Sequence, residues 1–268
     1  MSSKTNIKPI ASTLPFYQPV GREIEVFEQA FDAKMPLLLK GPTGSGKSRF
    51  VEHMAAKLGL PLYTVSCHEE TSAVDLLGRF LVKGHETVWQ DGLMTKAARE
   101  GGILYLDEVA EARPDTLIAI HALTDHRRTV YLERRNETIV APDNFMLVAS
   151  YNPGYQRGLK ELKPSTRQRF VAMTLNYAEP AVEHDIILTE SGATDETVRG
   201  VMTIGQKIRN LKELGLSESA STRLLIDAAT LIKQGLAPRL ACQVAIVEPL
   251  TDEEDTQRVM NELISAVF

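Results

Sequence analysis

Short apolar runs alternate with helical stripes through the first part of the chain. The runs are Pro36–Lys40 (PLLLK), Leu62–Ser66 (LYTVS), Ile103–Leu106 (ILYL), Phe145–Ser150 (FMLVAS) and Phe170–Leu175 (FVAMTL). Four of the five stay apolar or nearly so, instead of alternating with polar positions, which marks strands covered on both faces, as in a parallel sheet. After the first run, Phe50, Val51, Met54, Ala55 and Leu58 recur at helical spacing, and Pro114 opens a further helix carrying Leu117, Ile118 and His121. Strands alternating with helices predict right-handed crossovers and an open α/β sheet of five parallel strands with helices on both faces. Two segments break the alternation. Gly78–Gly92 has two apolar patches around Lys83-Gly84-His85, and Thr129–Val140 has two short alternating stretches around Arg134–Asn136. Both predict inserted β-hairpins. Beyond Tyr177–Pro180 no strand pattern remains. Leu224, Leu225, Ala228, Leu231 and Ile232 form an apolar helical stripe, and Asp252–Phe268 reads as a last helix. The expected organisation is therefore an α/β domain over 1–179, with inserts at about 78–92 and 129–140, and a small all-α domain over 180–268.

Composition narrows the classes. The 268 residues are 43% hydrophobic and 24% charged, ordinary for a globular chain long enough to bury a core without disulfide or metal staples. The 30 basic and 35 acidic residues leave a net charge of −5, whereas a dedicated nucleic-acid binder carries a basic surplus. Cys67 and Cys242 have no CxxC companion and read as buried free thiols of a reducing compartment. Met1–Ile10 carries Lys4 and Lys8 but no apolar leader core, and no stretch matches a membrane span, so a cytoplasmic location is expected. The histidines have no metal-ligand spacing, and no GxSxG or Cys/His pairing stands out, which removes zinc hydrolase and acyl-transfer chemistry.

The chemistry concentrates where strands end. Gly41-Pro42-Thr43-Gly44-Ser45-Gly46-Lys47-Ser48 satisfies G-x-x-x-x-G-K-[ST] between an apolar strand and an amphipathic helix, the context that motif requires. Glycines let the backbone curl its N–H groups toward phosphate oxygens, and the helix presents its positive end to the same anion. Lys47 is expected on the β- and γ-phosphates and the Ser48 hydroxyl on Mg²⁺. Ile103–Glu108 (ILYLDE) supplies a second metal partner from a neighbouring strand, Asp107, and a general base, Glu108. Asn152 ends a further strand and can donate and accept at once, which suits orienting a lytic water. Arg167 and Arg169 lie immediately before the fifth strand, where a guanidinium can meet developing charge on a phosphoryl group. Arg223 begins a helix of the second domain after Ser221-Thr222.

Taken together these residues resemble an AAA+ ATPase. The order is Walker A (Gly41–Ser48, with Arg49 following in the nucleotide-binding segment), Walker B (Ile103–Glu108), sensor-1 Asn152, an arginine-finger region (Arg167/Arg169) and sensor-2 Arg223 in a helical lid. The resemblance covers nearly the whole chain. The two hairpins look like the helix-2 insert and pre-sensor-1 hairpin of the MoxR group, and Val20-Gly21-Arg22-Glu23 looks like that group's adenine-side segment. Chain length, the Walker A loop and Ser150-Tyr151-Asn152-Pro153-Gly154-Tyr155 look most like the CbbQ/NorQ subgroup, and within it most like its CbbQ members, ATPase subunits of Rubisco activases. The resemblance implies ATP and Mg²⁺ as ligands, a homo-hexameric ring, a von Willebrand factor A-domain (VWA) adaptor like CbbO, and Rubisco as the client, freed of tightly bound sugar phosphates. It implies Arg169 as the finger, since the family places that residue directly before the Phe opening the strand. A finger acting in trans requires a head-to-tail ring. Leu81-Val82 in the first hairpin is the candidate pore element. Two alternatives remain: the same engine serving maturation of a nitric oxide reductase, or a nucleic-acid-associated ATPase.

Overall fold

The computed structural model describes residues 7–8, 14–153, 162–210 and 219–268. Lys4, Gly154 and Tyr155, named above, lie outside the described residues. The described residues form two compact units. Of these, one unit draws on 7–8, 14–41, 46–153 and 162–174, the other on 42–45, 175–210 and 219–268.

In the first unit the elements run β1 (Ile7–Lys8), α1 (Glu23–Asp32), β2 (Leu37–Lys40), α2 (Lys47–Lys57), β3 (Leu62–Ser66), α3 (Ala73–Leu77), β4 (Gly78–Lys83), β5 (Glu86–Asp91), α4 (Leu93–Glu100), β6 (Gly102–Asp107), α5 (Pro114–Ile120), β7 (Thr129–Leu132), β8 (Glu137–Val140), β9 (Phe145–Tyr151), α6 (Pro164–Arg167) and β10 (Val171–Thr174). The sheet order is β1-β3-β6-β9-β2-β10. The five apolar runs become its parallel strands, and β1 pairs antiparallel with β3 at one edge. The five expected parallel strands are present, and β1 adds a sixth, antiparallel strand at the edge. At two residues it is too short to leave a period-two pattern, so only pairing with β3 reveals it. The central strands are buried throughout: Leu37–Leu39, Ile103–Leu106 and Phe145–Tyr151 are all at most 6% exposed. Helix α2 covers one face through Phe50, Val51, Met54 and Ala55, with Phe27 of α1 edge-on to Phe50 at 5.6 Å.

Both inserts are two-stranded antiparallel hairpins, β4–β5 and β7–β8. In the first, Phe80 meets Trp89 edge to face at 5.1 Å, which gives Trp89 a packing role. Val82 is 77% exposed, the most exposed apolar side chain of this hairpin. The hairpins share one anchor. Arg99 of α4 donates to Asp91 of β5 at 2.9 Å and to both carboxylate oxygens of Glu137 of β8 at 2.5 and 2.8 Å.

The second unit continues with α7 (Pro180–Ser191), α8 (Asp195–Asn210), α9 (Thr222–Lys233), α10 (Pro238–Cys242), α11 (Glu248–Leu250) and α12 (Glu254–Ser265), with a π-helical turn over Gln243–Val247. No strand occurs among its described residues. Prolines open α7 and α10 at the position where a missing N–H costs nothing, and Gly192 ends α7 in the left-handed conformation. The α9 stripe packs inward through Leu225, Ala228 and Ala229, with Leu224, Leu231 and Ile232 partly buried against Val198, Val201, Ile246 and Met260. A charge lies inside this apolar unit. Glu183 of α7 is 1% exposed and accepts two bonds from Arg209 of α8, both 2.7 Å, and one from the Thr222 hydroxyl at 2.6 Å. Arg209 also donates to the Ala220 carbonyl at 2.7 Å and lies over the Tyr177 ring at 4.6 Å. Arg209→Ala leaves a buried carboxylate without its counter-charge. It is expected to cost about 3–5 kcal/mol of stability, read as a lower urea midpoint. An unchanged midpoint would show that the pair does not hold these helices.

Candidate active site

The Gly-rich loop leads from the end of β2 into α2. Gly46 caps α2 with φ +87° and Gly44 has φ +72°, a region L side chains rarely occupy. A Cβ at Gly44 would also lie 2.5 Å from the Ser221 Cβ and 3.6 Å from that of Arg223, so within the second unit the loop tip and the start of α9 touch. Tyr177 donates to the Thr43 carbonyl at 3.0 Å in the same unit. The first N–H groups of α2 lack intrahelical partners by geometry, which makes its start an anion site. Two further features suit an anion. Lys47 Nζ is held against the Gly41 carbonyl at 2.9 Å, and the Ser45 hydroxyl is buried without a partner among the described residues. Arg49, the third residue of the helix, is exposed and pairs with Glu52 at 3.9 Å.

At the end of β6, which β9 separates from β2 and so is not the neighbouring strand expected, Asp107 Oδ2 accepts from Ser48 Oγ at 3.2 Å. Asp107 Oδ1 accepts from Tyr105 at 2.8 Å and from Ser150 of β9 at 2.5 Å. The chain then turns. Glu108 has φ +53°, a left-handed conformation rare for a residue with a Cβ, and its N–H donates to Ser150 Oγ at 3.2 Å. Backbone held in such a region concentrates at functional sites. The turn leaves Glu108 exposed while Asp107 is half-buried. Asn152 follows β9 and is half-buried. Cys67 lies behind the acids, its N–H on the Asp107 carbonyl at 2.9 Å. Burial first, then Asp107 and Glu108, push its thiol up to about 12, so it is an inert thiol. Both cysteines are free and buried, as expected.

The two arginines before β10 differ. Arg167 ends α6 and is exposed. Arg169 is half-buried and lies 3.9 Å from Asp125, which Arg127 already holds at 2.5 Å; its Nε is buried without a partner among the described residues. Burial and then the Arg169 charge lower the pKa of His121. Arg223 is exposed on the first turn of α9, whose cap is the Ser221 side chain accepting from Leu224 N at 3.4 Å. Ahead of β2, the exposed Val20 and Gly21 are fixed by the buried Glu23. Its Oε1 accepts from Val20 N at 2.7 Å and from the Tyr17 hydroxyl at 2.8 Å, and the Tyr17 ring meets that of Phe50 at a tilt, 5.2 Å between centroids.

Residues 36–170 match the model of the AAA domain, dynein-related subfamily, and residues 183–267 match the CbbQ/NirQ/NorQ C-terminal model. The chain belongs to the CbbQ/NirQ/NorQ family of AAA+ ATPases. It is 54% identical to the protein NorQ of Paracoccus denitrificans, covering 95% of this chain and 94% of that one. It is 55% identical to the denitrification regulatory protein NirQ of Pseudomonas aeruginosa (93% and 96%) and 50% identical to the protein CbbQ of Hydrogenophilus thermoluteolus (95% of each). In fold it is similar to a RuvB variant from Thermotoga maritima, with TM-score 0.55, 15% identity, and 91% of this chain and 70% of that one covered. Like its family, the chain is an ATPase built on a parallel P-loop sheet followed by an all-helical region.

Among the described residues no group of three or more His, Cys, Asp and Glu could cage a metal ion. Beside a triphosphate, Mg²⁺ is held by one hydroxyl and one carboxylate, with waters and phosphate oxygens completing its shell. Ser48 and Asp107 fit that donor set. Tyr105, Ser150 and Tyr17 are residues around the site to which the sequence reading gave no role. Strand alternation carried a signal for the first two: Tyr105 shares a strand face with Asp107, and Ser150 lies on the strand two residues before Asn152. No helix among the described residues is long and apolar enough to cross a membrane.

Proposed function

We propose that this chain is the motor subunit of a two-component remodelling machine, in which ATP hydrolysis between subunits of a hexameric ring distorts a client enzyme through a VWA-domain adaptor like CbbO. The observation that carries the reading is the approach of Ser48 to Asp107 at 3.2 Å, with Lys47 next to Ser48 and Glu108 next to Asp107. Lys47 binds the β- and γ-phosphates over the N-terminus of α2. Ser48 and Asp107 hold Mg²⁺, which when bound neutralises charge on the phosphate oxygens. Glu108 takes the proton of the attacking water, and Asn152 orients that water. Val20 and Gly21 flank the adenine. Arg169 comes from the neighbouring subunit to the γ-phosphate; its weak pairing with Asp125 supports release toward a neighbour. Arg167 is the runner-up for that role. Arg223 senses the γ-phosphate from the helical domain, residues 180–268. Loss of the γ-phosphate frees these contacts, and the exposed hairpin around Leu81 and Val82 passes the motion to the client.

The client is inhibited Rubisco, from which the machine releases a tightly bound sugar phosphate, placing the protein in cytoplasmic carbon fixation. A second reading is favoured by the 54% and 55% identities to NorQ and NirQ against 50% to CbbQ: the same engine serving nitric oxide reductase maturation. One assay separates them. ATPase rate is measured with the chain alone, with each VWA adaptor, and with each adaptor plus inhibited Rubisco or immature reductase. The first reading expects slow basal turnover, stimulation by adaptor and Rubisco, and recovered carboxylase activity. Stimulation only by the reductase pair gives the second reading. No stimulation by either, with salt-sensitive nucleic-acid binding instead, would overturn both.

A further inference from the structure

The reading of Ser48 and Asp107 uses one oxygen of the carboxylate, and the structure shows what occupies the other. Asp107 Oδ2 faces Ser48 at 3.2 Å. Oδ1 takes two short bonds, from Tyr105 at 2.8 Å and Ser150 at 2.5 Å. Both donors are buried, at 1% and 0% exposure, in the middle of the sheet. Tyr105 Oη also lies 3.2 Å from Ser48 Oγ and 3.0 Å from Ser150 Oγ. Two hydroxyl donors on a single carboxylate oxygen fix the rotation of the group and leave the opposite oxygen as its open acceptor. Ser150 does a second task. It also accepts from Glu108 N at 3.2 Å, pinning the left-handed turn that aims Glu108.

We infer that Tyr105 and Ser150 are positioning residues: together they turn Asp107 Oδ2 toward the cation beside Ser48, and Ser150 alone also sets the backbone of Glu108. The inference rests on the proposed reading of Ser48 and Asp107 as the cation-side groups. Partners of this kind around a metal-binding carboxylate typically change metal affinity by about 10- to 100-fold when removed. The two residues therefore have separable signatures. Tyr105→Phe keeps the buried ring and removes one donor from Oδ1. Ser150→Ala removes the other donor and the acceptor for Glu108 N.

The test titrates Mg²⁺ into protein carrying a fluorescent ADP analogue, with Mn²⁺ electron paramagnetic resonance as an independent reading of cation binding. Steady-state ATP hydrolysis is measured at saturating Mg²⁺. Tyr105→Phe is expected to raise the Mg²⁺ midpoint about tenfold with kcat at saturating Mg²⁺ within about twofold of the parent. Ser150→Ala is expected to raise the midpoint and also to lower kcat at saturation about tenfold or more. Affinity for the analogue in EDTA should stay unchanged in both. If the parent shows cation-dependent binding and both variants keep its midpoint, the inference is overturned while the site reading stands. If the parent itself shows no cation dependence, the site reading falls. If either variant loses analogue binding in EDTA, its role is structural and the inference is overturned for that residue.

Discussion

Glu108→Gln should bind ATP and fail to turn it over. The substitution keeps the length and shape of the side chain and leaves the backbone bond from Glu108 N to Ser150 Oγ untouched. It removes only the basic oxygen. A positioned general base contributes roughly 10²- to 10⁴-fold, so kcat should fall by that order while nucleotide affinity stays near the parental value. Single-turnover hydrolysis and retention of labelled ATP on gel filtration measure the two sides. The exposed, left-handed position of Glu108 suits the proposed role, because a base has to reach a water above the strand ends, while Asp107, one residue earlier, is half-buried. Hydrolysis at the parental rate would show that another group takes the proton.

Lys47→Ala should abolish nucleotide binding at ordinary concentrations. Hydrogen bonds to charged groups contribute about 1.5–3 kcal/mol each, and Lys47 is expected to make more than one to phosphate oxygens, so affinity should fall on the order of 100-fold or more. The apolar anchors of α2, Phe50, Val51 and Met54, are unaffected, so the fold should persist. Titration of a fluorescent nucleotide reads the loss. The variant also tests the ring. Arg169→Ala should bind nucleotide but not hydrolyse it, because its own sites keep Lys47 and lack a neighbour's finger. Mixing the two inactive variants creates interfaces with both residues, and part of the ATPase activity should return. If mixing restores nothing and Arg167→Ala behaves as expected of Arg169→Ala, the finger is Arg167.

The fold class was legible in the residues alone, as were the strand ends at which the candidate chemistry gathers. Short apolar runs bounded by turn residues fit strands buried on both faces, and the Gly-Lys-Ser turn after PLLLK lies where a phosphate-binding loop leads from such a strand into a helix. The acids after ILYL and the amide after FMLVASY were legible for the same reason, since polar residues that end buried strands must emerge at the carboxyl edge. The two hairpins were legible from short apolar patches either side of Lys83-Gly84-His85 and Arg134–Asn136.

Tertiary structure alone decided how those residues act on one another. Strand order places β9 beside β6, which brings Ser150 onto Asp107 across 43 positions of chain, and no local pattern encodes that register. Tyr105 read as one more apolar strand residue, yet its hydroxyl ends beside Ser48, because the alternation of the strand puts it on the face of Asp107. The two-residue β1 exists only as a partner of β3, and the link from hairpin to hairpin through Arg99 exists only because α4 packs against both. The physical reason is common to all four. Periodicity fixes which face a residue takes, while pairing between distant segments fixes what it meets there.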